Sequence, residues 1–305
     1  MIGVLVMAYG GPNTIDEVEP YLMDVRGHRP TAPEIVHEVR ERYREIGGRS
    51  PILERTSAQA AALEAALNTG ETCFKAFVGM RHWHPYIKEA LDWMQAQRIE
   101  RAVGLVMAPH YSRMSIEAYF KKIEEAGSPL EIARVDDWHL LPGYLDALVG
   151  RVRAALQRFP EDARADVPVI FTAHSLPQKI LEWGDPYPIQ LRATVAALMK
   201  SLGGQPHAFA YQSAAMTPDP WLGPDVSSLI ERFAAEGQRH VLICPIGFVC
   251  EHVEILYDID IVYQKQAKSL GMQLERIDML NDAPEMISGL AGLVRRTAEE
   301  ANWIS

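Results

Sequence analysis

Two short segments of this 305-residue chain contain side chains that can bind a metal ion and move protons. The first is T-A-H-S-L-P at 172–177, in which His174 ends an apolar run. A neutral imidazole there can ligate a divalent cation or accept a proton near neutral pH. A histidine that only completes a turn is the alternative. Ser175 is not a candidate nucleophile, because the G-x-S-x-G pattern is missing.

The second segment is G-F-V-C-E-H-V-E-I-L-Y-D at 247–258. Its pattern predicts a helix from about residue 251 to residue 268, and Glu254 and Asp258 then share one face because they are four residues apart. If that face lines a cleft, the carboxylates suit a hard or borderline cation. If it faces solvent, acidic residues in a first helical turn simply complement the helix dipole.

Aromatic and basic side chains gather nearer the N-terminus. Tyr9 follows the first apolar run in M-A-Y-G-G-P, and Arg42 lies beside Tyr43 in an amphipathic helical segment. An arginine there could pair with a carboxylate through two parallel hydrogen bonds. His82 and His84 could ligate a metal together in an extended segment or form a cleft wall. Further apolar cleft-lining candidates are Trp221, Met107, Met114 and Met216.

Short apolar runs alternate with segments of helical periodicity along the whole chain. Nearly continuous apolar strands that alternate with helices are typical of a parallel α/β architecture. The strand candidates are 2–8, 73–78, 101–108, 130–134, 167–173, 207–211, 240–245 and 272–277, and the clearest helical segments are 32–46, 56–67, 85–96, 142–156 and 188–202.

The two halves of the chain begin alike, with an apolar strand and a loop that ends in proline. This similarity predicts two doubly wound, Rossmann-like domains, 1–160 and 161–305, each with a four-stranded parallel sheet. We expect the last helix to pack back on the first domain. A ligand cleft should lie between the domains, because such folds bind ligands beyond the carboxyl ends of their strands.

Composition excludes several classes of function. With 30 Lys and Arg against 40 Asp and Glu, the net charge of −10 argues against a nucleic-acid partner. Three cysteines complete neither a disulfide framework nor a four-cysteine iron–sulfur site. No apolar run approaches the ~20 residues of a membrane helix, and the N-terminus does not resemble a signal peptide. We therefore expect a cytoplasmic protein without integral membrane association.

Together these segments resemble the ferrochelatases, which insert ferrous iron into a porphyrin in haem biosynthesis. The resemblance runs over nearly the whole chain. It is carried by R-Y-R-E-I-G-G-R-S-P, by T-A-H-S-L-P continuing to W-G-D-P-Y, by Y-Q-S with W-L-G-P, and by G-F-V-C-E-H-V-E-I-L-Y-D. It implies that His174 and Glu254 are the catalytic, metal-binding pair, with Asp258 as a candidate relay. It also implies Fe²⁺ as a substrate, no prosthetic group and no iron–sulfur cluster.

Position 9 separates branches of the family. The branch that uses coproporphyrin III, as in Gram-positive bacteria, has tyrosine in M-A-Y-G, whereas protoporphyrin enzymes commonly have methionine. Tyr9 therefore implies coproporphyrin III as the substrate, coproheme as the product and a tyrosine ligand to the product iron. The implied porphyrin contacts are Tyr9, Arg26, Arg42, Tyr43, Ser50 and Tyr119, with His82 and Trp221 lining the cleft.

Two departures from the family pattern concern the substrate and the relay. Gly27 stands where the coproporphyrin branch often has a second arginine, and Val262 stands where the acidic series of the metal-side helix usually continues. A protoporphyrin IX ferrochelatase that makes haem b is therefore an alternative. A porphyrin or haem carrier without catalysis is another, from a different class. We expect a monomer whose partners are its porphyrin substrate, Fe²⁺ and other enzymes of the haem pathway.

Overall fold

Eight strands form two parallel sheets in the computed structural model, which describes residues 1–215, 217 and 219–304. Met216, a predicted cleft residue, lies outside the described residues. The strands are β1 (Ile2–Ala8), β2 (Phe74–Met80), β3 (Arg101–Val106), β4 (Glu131–Val135), β5 (Val169–His174), β6 (His207–Gln212), β7 (His240–Pro245) and β8 (Gln273–Arg276). Every predicted strand is present to within two residues at each end.

The two sheets have the same topology. The first has the strand order β2-β1-β3-β4 and the second β6-β5-β7-β8, and all pairs are parallel. In the central register, Val4 pairs with Ala76 and Val103. The predicted α/β class with two similar doubly wound sheets is therefore confirmed.

Helices cover the faces of both sheets, which explains why a strand such as β1 is buried along its whole length. They are α1 (Val18–Val25), α2 (Pro33–Glu45), α3 (Ile52–Leu67), α4 (Ile87–Ala96), α5 (Ile116–Ala126), α6 (Pro142–Leu156), α7 (Tyr187–Leu202), α8 (Val226–Ala235), α9 (Gln264–Ser269) and α10 (Pro284–Glu300). Short 3₁₀ turns span Ile15–Glu17, Arg164–Asp166 and Gln178–Leu181, and a π-helix spans Glu254–Tyr263. Along the described residues, no helix has both the length and the apolarity needed to cross a membrane.

One buried core joins the two halves of the chain. Leu105 of β3 and Phe171 of β5 belong to the same hydrophobic cluster, together with Leu290 of α10. The last helix contacts the first half directly, since the Arg295 guanidinium donates to the carbonyl oxygens of Ala66 and Leu67, both at 2.8 Å. Because the packing is continuous from one half to the other, the domain division at residue 160 stays a prediction.

Gly143 allows α6 and α10 to approach each other closely. A Cβ atom at this position would lie 2.1 Å from the carbonyl oxygen of Glu285, which is main chain and cannot rotate away. We expect Gly143→Ala to push the helices apart and lower the free energy of unfolding by about 1–3 kcal/mol. Urea denaturation followed by circular dichroism measures this change.

Gly150→Ala is the matched control on the same helix. A Cβ atom there meets nothing within 4 Å. Alanine favours the helical backbone over glycine, so this variant should equal the wild type or gain up to about 1 kcal/mol. Equal unfolding midpoints for the two variants would contradict the close-packing explanation.

Candidate functional site

The candidate residues lie where the strand order of each sheet reverses. In the second sheet, β6 and β7 flank β5 on opposite sides, so a crevice opens between the carboxyl ends of β5 and β7. His174 is the last residue of β5, and the loop after β7 leads to Glu254 at the start of the π-helix. In the first sheet, Tyr9 follows β1 in the equivalent place.

His174 and Glu254 meet although 80 residues separate them in the sequence. The His174 Nε2 atom lies 3.5 Å from Glu254 Oε1, and the side chains are 34% and 28% exposed. His174 Nδ1 contacts the carbonyl oxygen of Ser175, which can only accept a hydrogen bond. The proton of a neutral ring is therefore on Nδ1, and the Nε2 lone pair is free to take a proton or a metal ion.

Glu254 is held as a carboxylate. Burial raises the pKa of Glu254, but the positive charges that His174 and His252 carry when protonated outweigh burial and lower it below its ordinary value. His252 Nε2 lies 3.8 Å from Glu254 Oε2, and the Gln212 side-chain amide donates to the Glu254 carbonyl oxygen at 3.0 Å. An imidazole lone pair and an ionised carboxylate at this distance can hold a divalent cation or accept protons.

The helix predicted from about residue 251 to residue 268 is present, but it begins near Glu254 and its first part is not α-helical. The chain forms a π-helix over Glu254–Tyr263 and becomes α-helical only at α9. The buried side chains of the π-helix are Ile255, Ile259 and Tyr263, which lie four residues apart and share one face. π-Helical turns are frequent at functional sites.

Asp258 lies one turn beyond Glu254 in an environment that disfavours its charge. Burial raises its pKa; the Glu254 charge adds to this, while a hydrogen bond from Ser213 and the charges of Arg42 and His252 oppose it. The Ser213 hydroxyl donates to Asp258 Oδ2 at 2.5 Å. Further along, Val262 is 40% exposed and adds no carboxylate, so the acidic series stops at Asp258.

The first half contributes an aromatic wall around Tyr9. Its ring centroid lies 4.6 Å from that of His82, and the Arg81 guanidinium lies over the rings of Tyr9 and Tyr119 at 5.9 and 5.6 Å. Burial raises the pKa of Tyr9 to about 12 against the opposing charge of Arg81; the charges of Glu254 and Asp24 raise it further. The phenol is therefore neutral at pH 7.

The histidines of the 79–86 segment do not converge as a metal pair. His82 Nδ1 lies 2.8 Å from Asp24 Oδ1, whereas His84 Nδ1 lies 2.9 Å from Glu89 Oε2 at the surface. His82 is buried against Tyr9, and its place in the cleft wall stays a prediction.

Three other predicted porphyrin contacts are near the cleft. The Arg42 guanidinium lies over the Tyr257 ring of the π-helix at 5.3 Å and is also 2.5 Å from Glu38. Tyr43 is buried, and its pKa is raised by burial and by the charge of Glu254. The Trp221 ring centroid is 6.5 Å from that of His174.

The last two predicted porphyrin contacts differ in burial, because Ser50 is inside the molecule and Arg26 is at its surface. Ser50 is buried, and its amide donates to the carbonyl oxygen of Pro12 at 2.8 Å. A Cβ atom on Gly11 would lie 2.5 Å from the Ser50 hydroxyl, which explains the second glycine of G-G-P. Arg26 is exposed at the end of α1.

Sequence reasoning missed several residues that shape this site. Arg81 precedes His82 in the sequence and adds a cation beside Tyr9 and Tyr119. Ser213 and Gln212 were part of the Y-Q-S block and bond the π-helix. Their signal was the position of Y-Q-S at the end of a strand that neighbours the one carrying His174.

The raised pKa of Asp258 generates a pH-dependent stability. An acid whose folded pKa exceeds its unfolded value of about 3.9 binds its proton more tightly when folded, so stability falls as pH rises from about 4 through the folded pKa. Asp258→Asn cannot ionise at this position, so the variant does not lose this part of its stability as pH rises. We expect the melting temperature of the variant, minus that of the wild type, to increase between pH 4 and pH 7 in metal-free buffer. A difference that is constant or decreases with pH would contradict the environment described for Asp258.

This chain is similar to known proteins along nearly its whole length. The family model "Ferrochelatase" matches residues 1–298. A ferrochelatase of Deinococcus radiodurans is 44% identical over 306 residues, covering 98% of this chain and 96% of the relative, and one of Herpetosiphon aurantiacus is 43% identical over 296 residues, covering 95% and 97%. The coproporphyrin III ferrochelatase of Listeria monocytogenes is 39% identical over 300 residues, covering 96% and 97%.

Among solved structures, SirB from Bacillus subtilis with Fe³⁺ aligns with a TM-score of 0.62 at 10% identity, covering 99% of this chain and 98% of SirB. CbiX, described as the terminal enzyme for siroheme biosynthesis in denitrifying bacteria, aligns with a TM-score of 0.54 at 14% identity, covering 96% and 98%. At these identities the likeness shows the chelatase fold. The family model and the relatives above show that this chain belongs to the ferrochelatase family.

Proposed function

We propose that this protein inserts Fe²⁺ into coproporphyrin III and that His174 and Glu254 form its metal site. The observation that carries the proposal is the pair itself: a free imidazole Nε2 lies 3.5 Å from an ionised carboxylate in a half-exposed crevice. Membership in the ferrochelatase family supports a metal chelatase activity.

The residues of this pair suit the proton balance of insertion. One Fe²⁺ replaces the two N–H protons of the free porphyrin, so two protons must leave the macrocycle. His174 Nε2 and the Glu254 carboxylate can each accept one, and both can replace water in the ion's coordination shell. Asp258, one turn further along the π-helix, is the candidate relay, because its raised pKa makes it a better proton acceptor than an ordinary aspartate.

Coproporphyrin III is the proposed substrate because of its four propionates and because of Tyr9. The cations near the cleft are Arg81 beside Tyr9 and Arg42 beside the π-helix, and exposed Arg26 lies at the end of α1. Guanidinium groups bind carboxylates well, and four propionates need more of them than two. Several relatives at 37–39% identity are named coproporphyrin III ferrochelatases, which supports the same substrate. The neutral Tyr9 phenol is the proposed ligand to the product iron, with its proton leaving on ligation.

Anaerobic insertion of Fe²⁺, followed by absorption with coproporphyrin III and protoporphyrin IX in parallel, tests this function. We expect kcat/KM to be clearly higher for coproporphyrin III, because only this substrate uses all the cations around the cleft. A preference for protoporphyrin IX would overturn the substrate assignment and leave the chelatase activity. Binding of both porphyrins without insertion of iron would favour the carrier.

His174→Ala tests the metal site. Loss of the Nε2 lone pair should lower kcat by about 10²–10⁴-fold, the range for a positioned acid–base group, while porphyrin affinity measured by fluorescence quenching stays unchanged. The matched control is His84→Ala, since His84 is an exposed histidine bound to Glu89 and should leave both quantities unchanged. Turnover retained in the His174 variant would refute the assignment.

Other features of the proposal stay predictions. They are a reaction without a prosthetic group or iron–sulfur cluster, a cytoplasmic monomer, and contact with other enzymes of haem synthesis.

A further inference from the structure

Asp185 is a buried carboxylate that joins the two halves of the molecule. It is 4% exposed, and its Oδ2 accepts hydrogen bonds from the Ser112 hydroxyl at 3.0 Å and from the Arg113 amide at 2.9 Å. Ser112 and Arg113 belong to the loop after β3 in the first half. The other oxygen, Oδ1, accepts a bond from the Tyr187 amide at 3.0 Å. Three donors from two segments fix both the position and the plane of this carboxylate.

Tyr187 extends this connection to the metal-site strand. Its hydroxyl donates to the carbonyl oxygen of His174 at 3.0 Å, and its side chain is buried. The ring of Tyr187 packs edge-on against buried His110, with centroids 6.3 Å apart. His110 Nε2 in turn lies 2.9 Å from the hydroxyl of Thr194 on α7. Tyr187 therefore has little freedom to move away from His174.

The end of β5 has lost its strand partner on one side, so another contact must fix its position. β5 pairs with β7 only from Val169 to Thr172, so the ladder on that side stops before His174. On the other side, His174 still pairs with Gln212 of β6. The Tyr187 hydroxyl donates to the His174 carbonyl oxygen at the point where β7 no longer pairs with β5.

From this geometry we propose that Asp185 and Tyr187 are positioning residues, which orient His174 toward Glu254 through the chain Ser112–Asp185–Tyr187–His174. The inference rests on the proposed metal site. Neither residue is assigned a contact with metal or porphyrin. Their effect is to keep the Nε2 atom at its distance from Glu254, and a shift of about 1 Å in such a group can cost about 10²-fold in rate.

Tyr187→Phe removes only the hydroxyl that contacts His174. We expect kcat for anaerobic Fe²⁺ insertion to fall by about tenfold, with the KM for porphyrin unchanged, because the macrocycle contacts remain. We expect Asp185→Asn likewise to lower kcat and to leave the KM for porphyrin unchanged. The double variant should be little worse than the more impaired single variant, since both substitutions act on His174.

Tyr144→Phe is the matched control. Tyr144 is also buried, and its hydroxyl also donates to a main-chain carbonyl, that of Ile246, at 2.5 Å. We expect a similar loss of melting temperature in the two phenylalanine variants but near-wild-type kcat in the Tyr144 variant. This comparison separates a general loss of stability from the displacement of His174.

The outcomes distinguish this inference from the proposed function. Wild-type protein that inserts iron, together with Tyr187→Phe that inserts it at the same rate, overturns only the positioning role. Equal losses of kcat in the Tyr187 and Tyr144 variants do so as well. Wild-type protein that inserts no iron overturns the proposed function and this inference with it. If Asp185→Asn does not fold, the two phenylalanine variants alone decide.

Discussion

The site depends on a free imidazole nitrogen and an ionised carboxylate held 3.5 Å apart in a crevice that water and a ligand can reach. A buried carboxylate is costly unless charges or donors compensate it. Here His174 and His252 compensate Glu254, and the Ser175 carbonyl orients the proton of His174. Among the described residues Glu254 Oε2 has no hydrogen-bond partner, and the Nε2 lone pair of a neutral His174 is free, so both groups can take a ligand.

The architecture explains how two residues so distant in sequence meet. A parallel doubly wound sheet brings the carboxyl ends of neighbouring strands to one edge, and the reversal of strand order opens a crevice there. His174 ends one of these strands, and Glu254 follows the loop after its neighbour. The first sheet has the same strand order and presents Tyr9 from the equivalent position. The chelatase fold thus supplies two equivalent edges with different side chains.

Charge is distributed unevenly over the molecule. The chain carries a net charge of −10, yet Arg81 and Arg42 lie beside aromatic rings near the candidate site. Burial raises the pKa of Tyr9 and Tyr43 further above neutral pH, so neither phenol adds a negative charge beside these cations. An acidic surface can therefore accompany local recognition of an acidic ligand, since close cations act at short range while distant charges are screened by salt.

How much of this could be predicted from the sequence differs from feature to feature. Continuous apolar runs predicted the strand bounds to within two residues, because a strand buried on both faces is apolar along its length. Sequence pattern placed His174 at the end of a strand and Glu254 near the start of a helix, and the family resemblance paired them.

Only the tertiary structure decided the π-helix, the separate carboxylate partners of His82 and His84, and the connection from Ser112 through Asp185 and Tyr187 to His174. The physical reason is that local pattern reports which face of an element is buried. Hydrogen bonds between segments far apart in the chain depend on how the two sheets are packed together, and no local pattern records that.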